Sequence, residues 1–143
     1  MGILKKVKEE VCFLKLNRPE VFNSFNKDMA YSLQKELDDC ENNDAIRAIV
    51  IIGEGKAFCA GLDIKAATDS SVPRPFGAGM GFQGYLAEVY IKMRRCPQPI
   101  ISMIQGPACG GGFAFALASD VRIAAANAKM NAAFIKLGLS ACD

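Results

Sequence analysis

Ile100-Ile101-Ser102-Met103-Ile104-Gln105-Gly106-Pro107-Ala108-Cys109-Gly110-Gly111-Gly112-Phe113-Ala114-Phe115-Ala116-Leu117-Ala118 is the stretch whose reading decides the fold. Ile100 to Ile104 is an apolar run of strand length, Gln105 to Gly112 is punctuated by Gly and Pro, and Phe113 to Ala118 reads as an apolar helix. Asp120 to Ala124 follows as a further strand. A strand passing through a glycine turn into a helix, and on to another strand, is the repeating unit of a parallel sheet.

Working outward, the same unit stands upstream. Ile46 to Ile52 contains the unbroken run Ala48-Ile49-Val50-Ile51-Ile52, which suits a strand covered on both faces. Gly53-Glu54-Gly55 breaks it, and Phe58 to Lys65 reads as a turn opening a short helix. Val11 to Leu16 is a strand that stops at Asn17-Arg18-Pro19. Lys27 to Asn43 is helical, with Met29, Leu33, Leu37 and Cys40 on one face and Asn26 as its N-cap. Thr68 to Gly84 is rich in Ser, Pro and Gly and is expected to be a flexible loop. Tyr85 to Arg95 is a helix with Leu86, Val89, Tyr90 and Met93 on one face, stopped by Pro97 and Pro99. The fold class is α/β with a largely parallel sheet, as a single domain over residues 1–143.

Composition removes several kinds of chemistry. The chain has 143 residues, 51% of them apolar, which suffices for one core. It has no histidine, so Ser-His-Asp and Cys-His nucleophile systems are excluded, along with most catalytic zinc sites. The net charge of +2 argues for neither nucleic acid nor a membrane surface as partner. Cys12, Cys40, Cys59, Cys96, Cys109 and Cys142 show no CxxC pair and are expected to be reduced, buried thiols in a cytoplasmic protein, with no metal bound. No apolar run is long enough to span a membrane, and the opening residues reach charge too soon for a signal peptide. Gly53-Glu54-Gly55-Lys56 hints at a P-loop, but Val50 stands where its first glycine belongs and Ala57 where Ser or Thr belongs. Gly106 to Gly112 lacks the spacing of a dinucleotide fingerprint.

The chemistry therefore centres on the two glycine turns. Each ends a strand and opens a helix, where backbone N–H groups lack partners and the helix dipole is positive. Two such turns side by side could direct two N–H groups at one oxygen, and glycine lets a ligand approach the backbone. Tight turns made only for packing are the alternative.

Four segments together resemble the crotonase (enoyl-CoA hydratase/isomerase) family. They are Asn17-Arg18-Pro19 with Asn23-Ser24-Phe25-Asn26; Lys56 to Lys65; Gln105 to Gly112; and Ser119-Asp120-Val121-Arg122-Ile123-Ala124. The resemblance implies a spiral of ββα units and an acyl-CoA thioester as ligand, in chemistry of the kind used in fatty acid metabolism. Its carbonyl oxygen would sit in an oxyanion hole between the N–H groups of Leu62 and Gly111. Ala60, Gly61, Leu62, Asp63, Ile64 and Lys65 would line the adenine and pantetheine pocket, Gly110 would adjoin the oxyanion site, and Phe22 would lie at the coenzyme A entrance. No separate cofactor is implied, because coenzyme A is part of the substrate. The family assembles as homotrimers, or as hexamers of paired trimers.

Two departures stand against a straightforward hydratase. The family's hydratases carry glutamates at the positions of Ala114 and Phe134, and neither replacement can move a proton. The chain also ends at Asp143, short of the family's C-terminal helical region. Asp143 is a candidate catalytic acid, and Asp63 reads first as a helix cap. Cys59 and Cys109 read as packing residues. The readings left open are an enzyme acting on acyl-CoA thioesters and a non-catalytic acyl-CoA-binding remnant.

Overall fold

A computed structural model describes residues 2–68 and 78–133. Its main sheet has five strands: β1 (Ile3–Lys8), β2 (Val11–Leu16), β3 (Ala48–Gly53), β4 (Ile100–Ile104) and β6 (Val121–Ala124), in the order β1-β2-β3-β4-β6. β1 and β2 form an antiparallel hairpin, and β2, β3, β4 and β6 run parallel. The largely parallel α/β sheet expected from the two strand-turn-helix units is therefore present.

Helices connect the parallel strands. The first, α1 (Lys27–Glu41), links β2 to β3. Asn26 caps it by accepting the Met29 N–H at 2.9 Å. Its buried face is Met29, Ala30, Leu33, Leu37 and Cys40, the stripe that the 3.6-residue period marks. Each large side chain on that stripe contributes about 1.5–3 kcal/mol by leaving water. In β3, Ile49, Val50 and Ile51 are all buried. Between β3 and β4 lie α2 (Ile64–Thr68) and α3 (Ala78–Arg95), and α4 (Gly111–Ala118) joins β4 to β6.

Three features differ from the sequence reading. The helix expected to begin at Tyr85 begins at Ala78, so residues 78–84 of the expected loop are helical. Glycines cost a helix about 1 kcal/mol each locally. Here the helix is anchored downstream by its buried residues Leu86, Val89, Tyr90 and Met93. Residues 69–77 of that loop lie outside the described residues. β1, which was not anticipated, is an edge strand with only Ile3 buried, so it lacks an alternating pattern. The third feature is a second, small sheet in which β5 (Ala108–Cys109) pairs in parallel with β7 (Met130–Asn131).

This small sheet sets the site. Isolated bridges join Phe25 to Leu62 and Cys59 to Ala108. The segment 59–62 is thereby held between the loop before α1 on one side and the turn before α4 on the other. Phe115 of α4, fully buried, packs with its ring centroid 5.5 Å from Phe25, 6.1 Å from Phe58 and 6.4 Å from Tyr90, tilted or edge-on. Such ring pairs add about 0.5–1.5 kcal/mol each beyond burial.

Candidate oxyanion site

The two glycine turns meet. At Gly61 the backbone has φ +94°, a conformation that glycine adopts freely and other residues do not. A methyl group there would stand 2.7 Å from the Cys109 carbonyl oxygen and 3.2 Å from the Gly111 nitrogen. At Gly112 a methyl group would fall 2.1 Å from the Cys59 carbonyl oxygen. The turns approach closely because neither carries a side chain at the point of contact.

The hydrogen bonds around the turns are specific. The Phe25 N–H donates to the Gly61 carbonyl at 2.7 Å, and the Asp63 N–H donates to the Phe25 carbonyl at 2.9 Å. The Cys109 N–H donates to Cys59 O, and the Gly110 N–H to Asn131 O. The Phe113 and Ala114 N–H groups both return to Gly110 O. Among the described residues, the N–H groups of Leu62 and Gly111 donate to no carbonyl in this network. Leu62 stands two residues before α2, and Gly111 is the first residue of α4, where an intrahelical partner is impossible.

The side chains singled out in the sequence fall into distinct places. Asp63 caps α2 by accepting the Ala66 N–H at 3.1 Å, and its other carboxylate oxygen accepts from Arg18 at 2.9 Å. Burial alone would raise this carboxyl. The Ala66 N–H and the Arg18 guanidinium outweigh it and hold the group below the usual carboxylate range. Asp63 is thus a bound, ionised cap. Cys59 is fully buried, donates to the Asn23 carbonyl, and accepts from the Gly61 N–H. Burial pushes its thiol up to about 12, which rules it out as a nucleophile near neutral pH. The hydrogen bond to Cys12, reinforced by burial, likewise raises the Cys40 thiol. All five described cysteines are free, and no group of metal-ligating side chains occurs among the described residues.

Phe22 is 56% exposed and sits at φ +52°, while its carbonyl accepts the Ala60 N–H at 3.0 Å. That bond ties the Phe22 backbone to the start of the Ala60–Lys65 segment. Ala114 is buried on the first turn of α4 and presents only a methyl group. Phe134 and Asp143 lie outside the described residues.

Sequence reading missed three functional supports. Arg18 grips Asp63 across 45 residues of chain and also donates to Ser24 O at 2.6 Å. Asn23, fully buried at φ +57°, donates to the carbonyls of Glu54 and Ala57 and accepts the Arg18 N–H, each at 2.9 Å. It braces the β3–Lys56 turn against the loop before α1. The third is Tyr90, whose hydroxyl donates to the Gly111 carbonyl at 3.1 Å. The first two were visible only as members of the Asn17-to-Asn26 motif. Tyr90 was visible as a buried helix position, with nothing to reveal its hydroxyl's partner.

No described helix is long and apolar enough to cross a membrane. A family profile described as Enoyl-CoA hydratase/isomerase matches residues 6–142. The chain is 39% identical to a 1,2-epoxyphenylacetyl-CoA isomerase of Escherichia coli over 96% of its own length and 52% of that protein. It is 38% identical to a probable enoyl-CoA hydratase of Mycobacterium leprae over 99% of its length and 49% of the relative. Among solved structures, an enoyl-CoA hydratase from a Polaromonas species superposes with a TM-score of 0.89 at 31% identity, covering 96% of this chain and 53% of that one. The chain spans about half the length of the relatives it matches.

Proposed function

The chain belongs to the enoyl-CoA hydratase/isomerase family and has its crotonase fold, and from that premise we propose that it binds an acyl-coenzyme A thioester with the carbonyl oxygen between the N–H groups of Leu62 and Gly111. One observation carries the proposal. Gly61 and Gly111 stand so close that a methyl group on Gly61 would lie 3.2 Å from the Gly111 nitrogen, and the N–H groups of Leu62 and Gly111 take no part in the surrounding backbone network of described residues. Two preorganised donors on one oxygen polarise the thioester and stabilise negative charge as an enolate develops. Each such donor is worth about 3–4 kcal/mol of barrier.

The rest of the site follows from the same placement. The Ala60–Lys65 segment lines the route of the pantetheine and adenine, Phe22 stands at the coenzyme A entrance, and Gly110 fixes the turn that presents Gly111. Asp63 acts by holding this segment in shape through Arg18 and α2, not by moving protons. No cofactor beyond the substrate's own coenzyme A is needed for polarisation.

Proton transfer is the weak part. Ala114 offers no acid or base where the family's hydratases carry a glutamate, and Phe134 replaces the second. Each lost general acid or base costs roughly 10²- to 10⁴-fold. Hydration by the two-carboxylate route is therefore slow or absent in this chain, with Asp143 as the candidate that could serve an isomerase-type proton transfer. A second reading, acyl-CoA binding without turnover, is favoured specifically by the Ala114 methyl. Assembly as a trimer or hexamer is part of the proposal for a full-length family protein.

Calorimetric titration tests the binding claim. Butyryl-CoA should bind more tightly than free coenzyme A, because only the thioester offers a carbonyl to the two N–H groups. Equal affinity for both would overturn the proposal. Assay of crotonyl-CoA hydration separates the two readings, since measurable turnover lost on Asp143→Asn selects the enzyme.

A further inference from the structure

We propose that Tyr90 is a positioning residue of the oxyanion site, holding Gly111 at the start of α4 so that its N–H faces the thioester. This rests on the acyl-CoA reading above. The Tyr90 hydroxyl reaches from α3 across 21 residues of chain to donate to the Gly111 carbonyl at 3.1 Å. The bond falls on the first residue of α4, whose own N–H is the donor in question. A methyl group built on Gly111 would lie 3.3 Å from the Tyr90 oxygen and 4.0 Å from Gly61 Cα. The hydroxyl and the Gly61 turn thus both stand within 4.0 Å of the point where a Gly111 side chain would begin.

The geometry suits positioning for two reasons. The N–H groups of a helix's first turn have no intrahelical partners, and the preceding Gly110, at φ +51°, is held by its N–H on Asn131 O and by its carbonyl, which accepts from Phe113 and Ala114. A side-chain bond to the carbonyl of the next residue fixes the rotation of this turn. The tyrosine is itself fixed, being buried and packed edge-on against Phe115 at 6.4 Å and 60°. Phe115 is itself a residue of α4, so the tyrosine meets this helix twice, through its ring at Phe115 and through its hydroxyl at Gly111.

The test is Tyr90→Phe, which keeps the ring packing and removes only the hydroxyl. The probe is butyryl-CoA carrying ¹³C at the thioester carbonyl, and the readout is its stretching frequency when bound, measured by isotope-edited infrared difference spectroscopy. In the unmodified chain the band should lie below its position in water. In Tyr90→Phe it should return part of the way, with about 5-fold weaker binding, the loss expected for one hydrogen bond. Installing 4-aminophenylalanine at position 90, whose amine can donate, should restore the band. A band unmoved in Tyr90→Phe while the unmodified chain shows the full downshift would overturn the positioning role. No downshift in the unmodified chain would instead overturn the acyl-CoA reading, and the Tyr90 role with it. If Tyr90→Phe fails to fold, the 4-aminophenylalanine protein decides alone: a band at the aqueous position there refutes the role.

Discussion

Replacing Gly61 with alanine tests whether the contact between the two turns is needed. Two costs are separable in the structure. An L-residue must adopt φ +94°, which costs about 1–3 kcal/mol. Its methyl group must also displace a carbonyl 2.7 Å away. That carbonyl belongs to Cys109, whose N–H is bonded to Cys59 O at 3.0 Å and which pairs with Asn131 in the small sheet, so it cannot move alone. Overpacking of this kind costs about 1–3 kcal/mol. The sum is about 4 kcal/mol, below the 5–15 kcal/mol typical of a whole domain. The variant should fold, and urea denaturation should show the loss at unchanged slope. Relief of the clash must push Gly111 away from Leu62, so butyryl-CoA affinity should fall at least about 10-fold. Gly84→Ala is the matched control. It lies in α3 with nothing within 4 Å of a new methyl group, and should be neutral or up to about 1 kcal/mol stabilising. A Gly61→Ala protein destabilised by less than about 1 kcal/mol, with unchanged affinity, would refute the reasoning.

Other outcomes follow from neighbouring contacts. Asn23→Ala removes three hydrogen bonds at a buried, left-handed position and should cost about 4 kcal/mol by urea denaturation; a cost under about 1.5 kcal/mol would mean the brace is dispensable. Asp63→Asn keeps a helix cap but loses the charge on Arg18, and should cost about 2 kcal/mol at pH 7. Because the folded Asp63 carboxyl is held below its ordinary value, its contribution is complete above about pH 4 and drains away as pH falls through the folded value. The gap between the two proteins, measured by thermal melts against pH, should therefore narrow below about pH 4; a constant gap would show that the charge is not its source. β6 ends the sheet with every residue exposed, including Val121 and Ile123, and Leu117 of α4 is exposed as well. An open apolar sheet edge favours self-association, so sedimentation should show oligomers at micromolar concentration that Val121→Lys with Ile123→Lys reduces; a stable monomer before substitution would contradict this.

The parts of the fold legible in the sequence are those governed by local periodicity. The apolar runs of β3 and β4, the α1 stripe with its Asn26 cap, and the break at Pro97 each follow from neighbours within one turn or one strand. What escaped reading depends on distant partners. β5 and β7 are two residues each and exist only because Ala108 and Cys109 find Met130 and Asn131. β1 carries Lys5, Lys6 and Lys8, a composition that reads as solvent-exposed chain until β2 pairs with it. The start of α3 was obscured by glycines that argue against a helix locally. At the site, the glycine turns could be placed from Gly61 and Gly110 to Gly112, because a missing side chain is itself a sequence signal. The Arg18–Asp63 pair, the Asn23 brace and the Tyr90 hydroxyl could not, since polar residue types do not announce which distant carbonyl or carboxylate they meet.

The central claim concerns two named N–H groups, and amide NMR observes both. In ¹⁵N-labelled protein, saturating butyryl-CoA should move the Leu62 and Gly111 amide protons downfield together as each donates to the thioester oxygen, whereas free coenzyme A should leave both near their unliganded positions. Binding of butyryl-CoA that leaves these two amides unmoved, or moves them no more than coenzyme A does, would contradict the account.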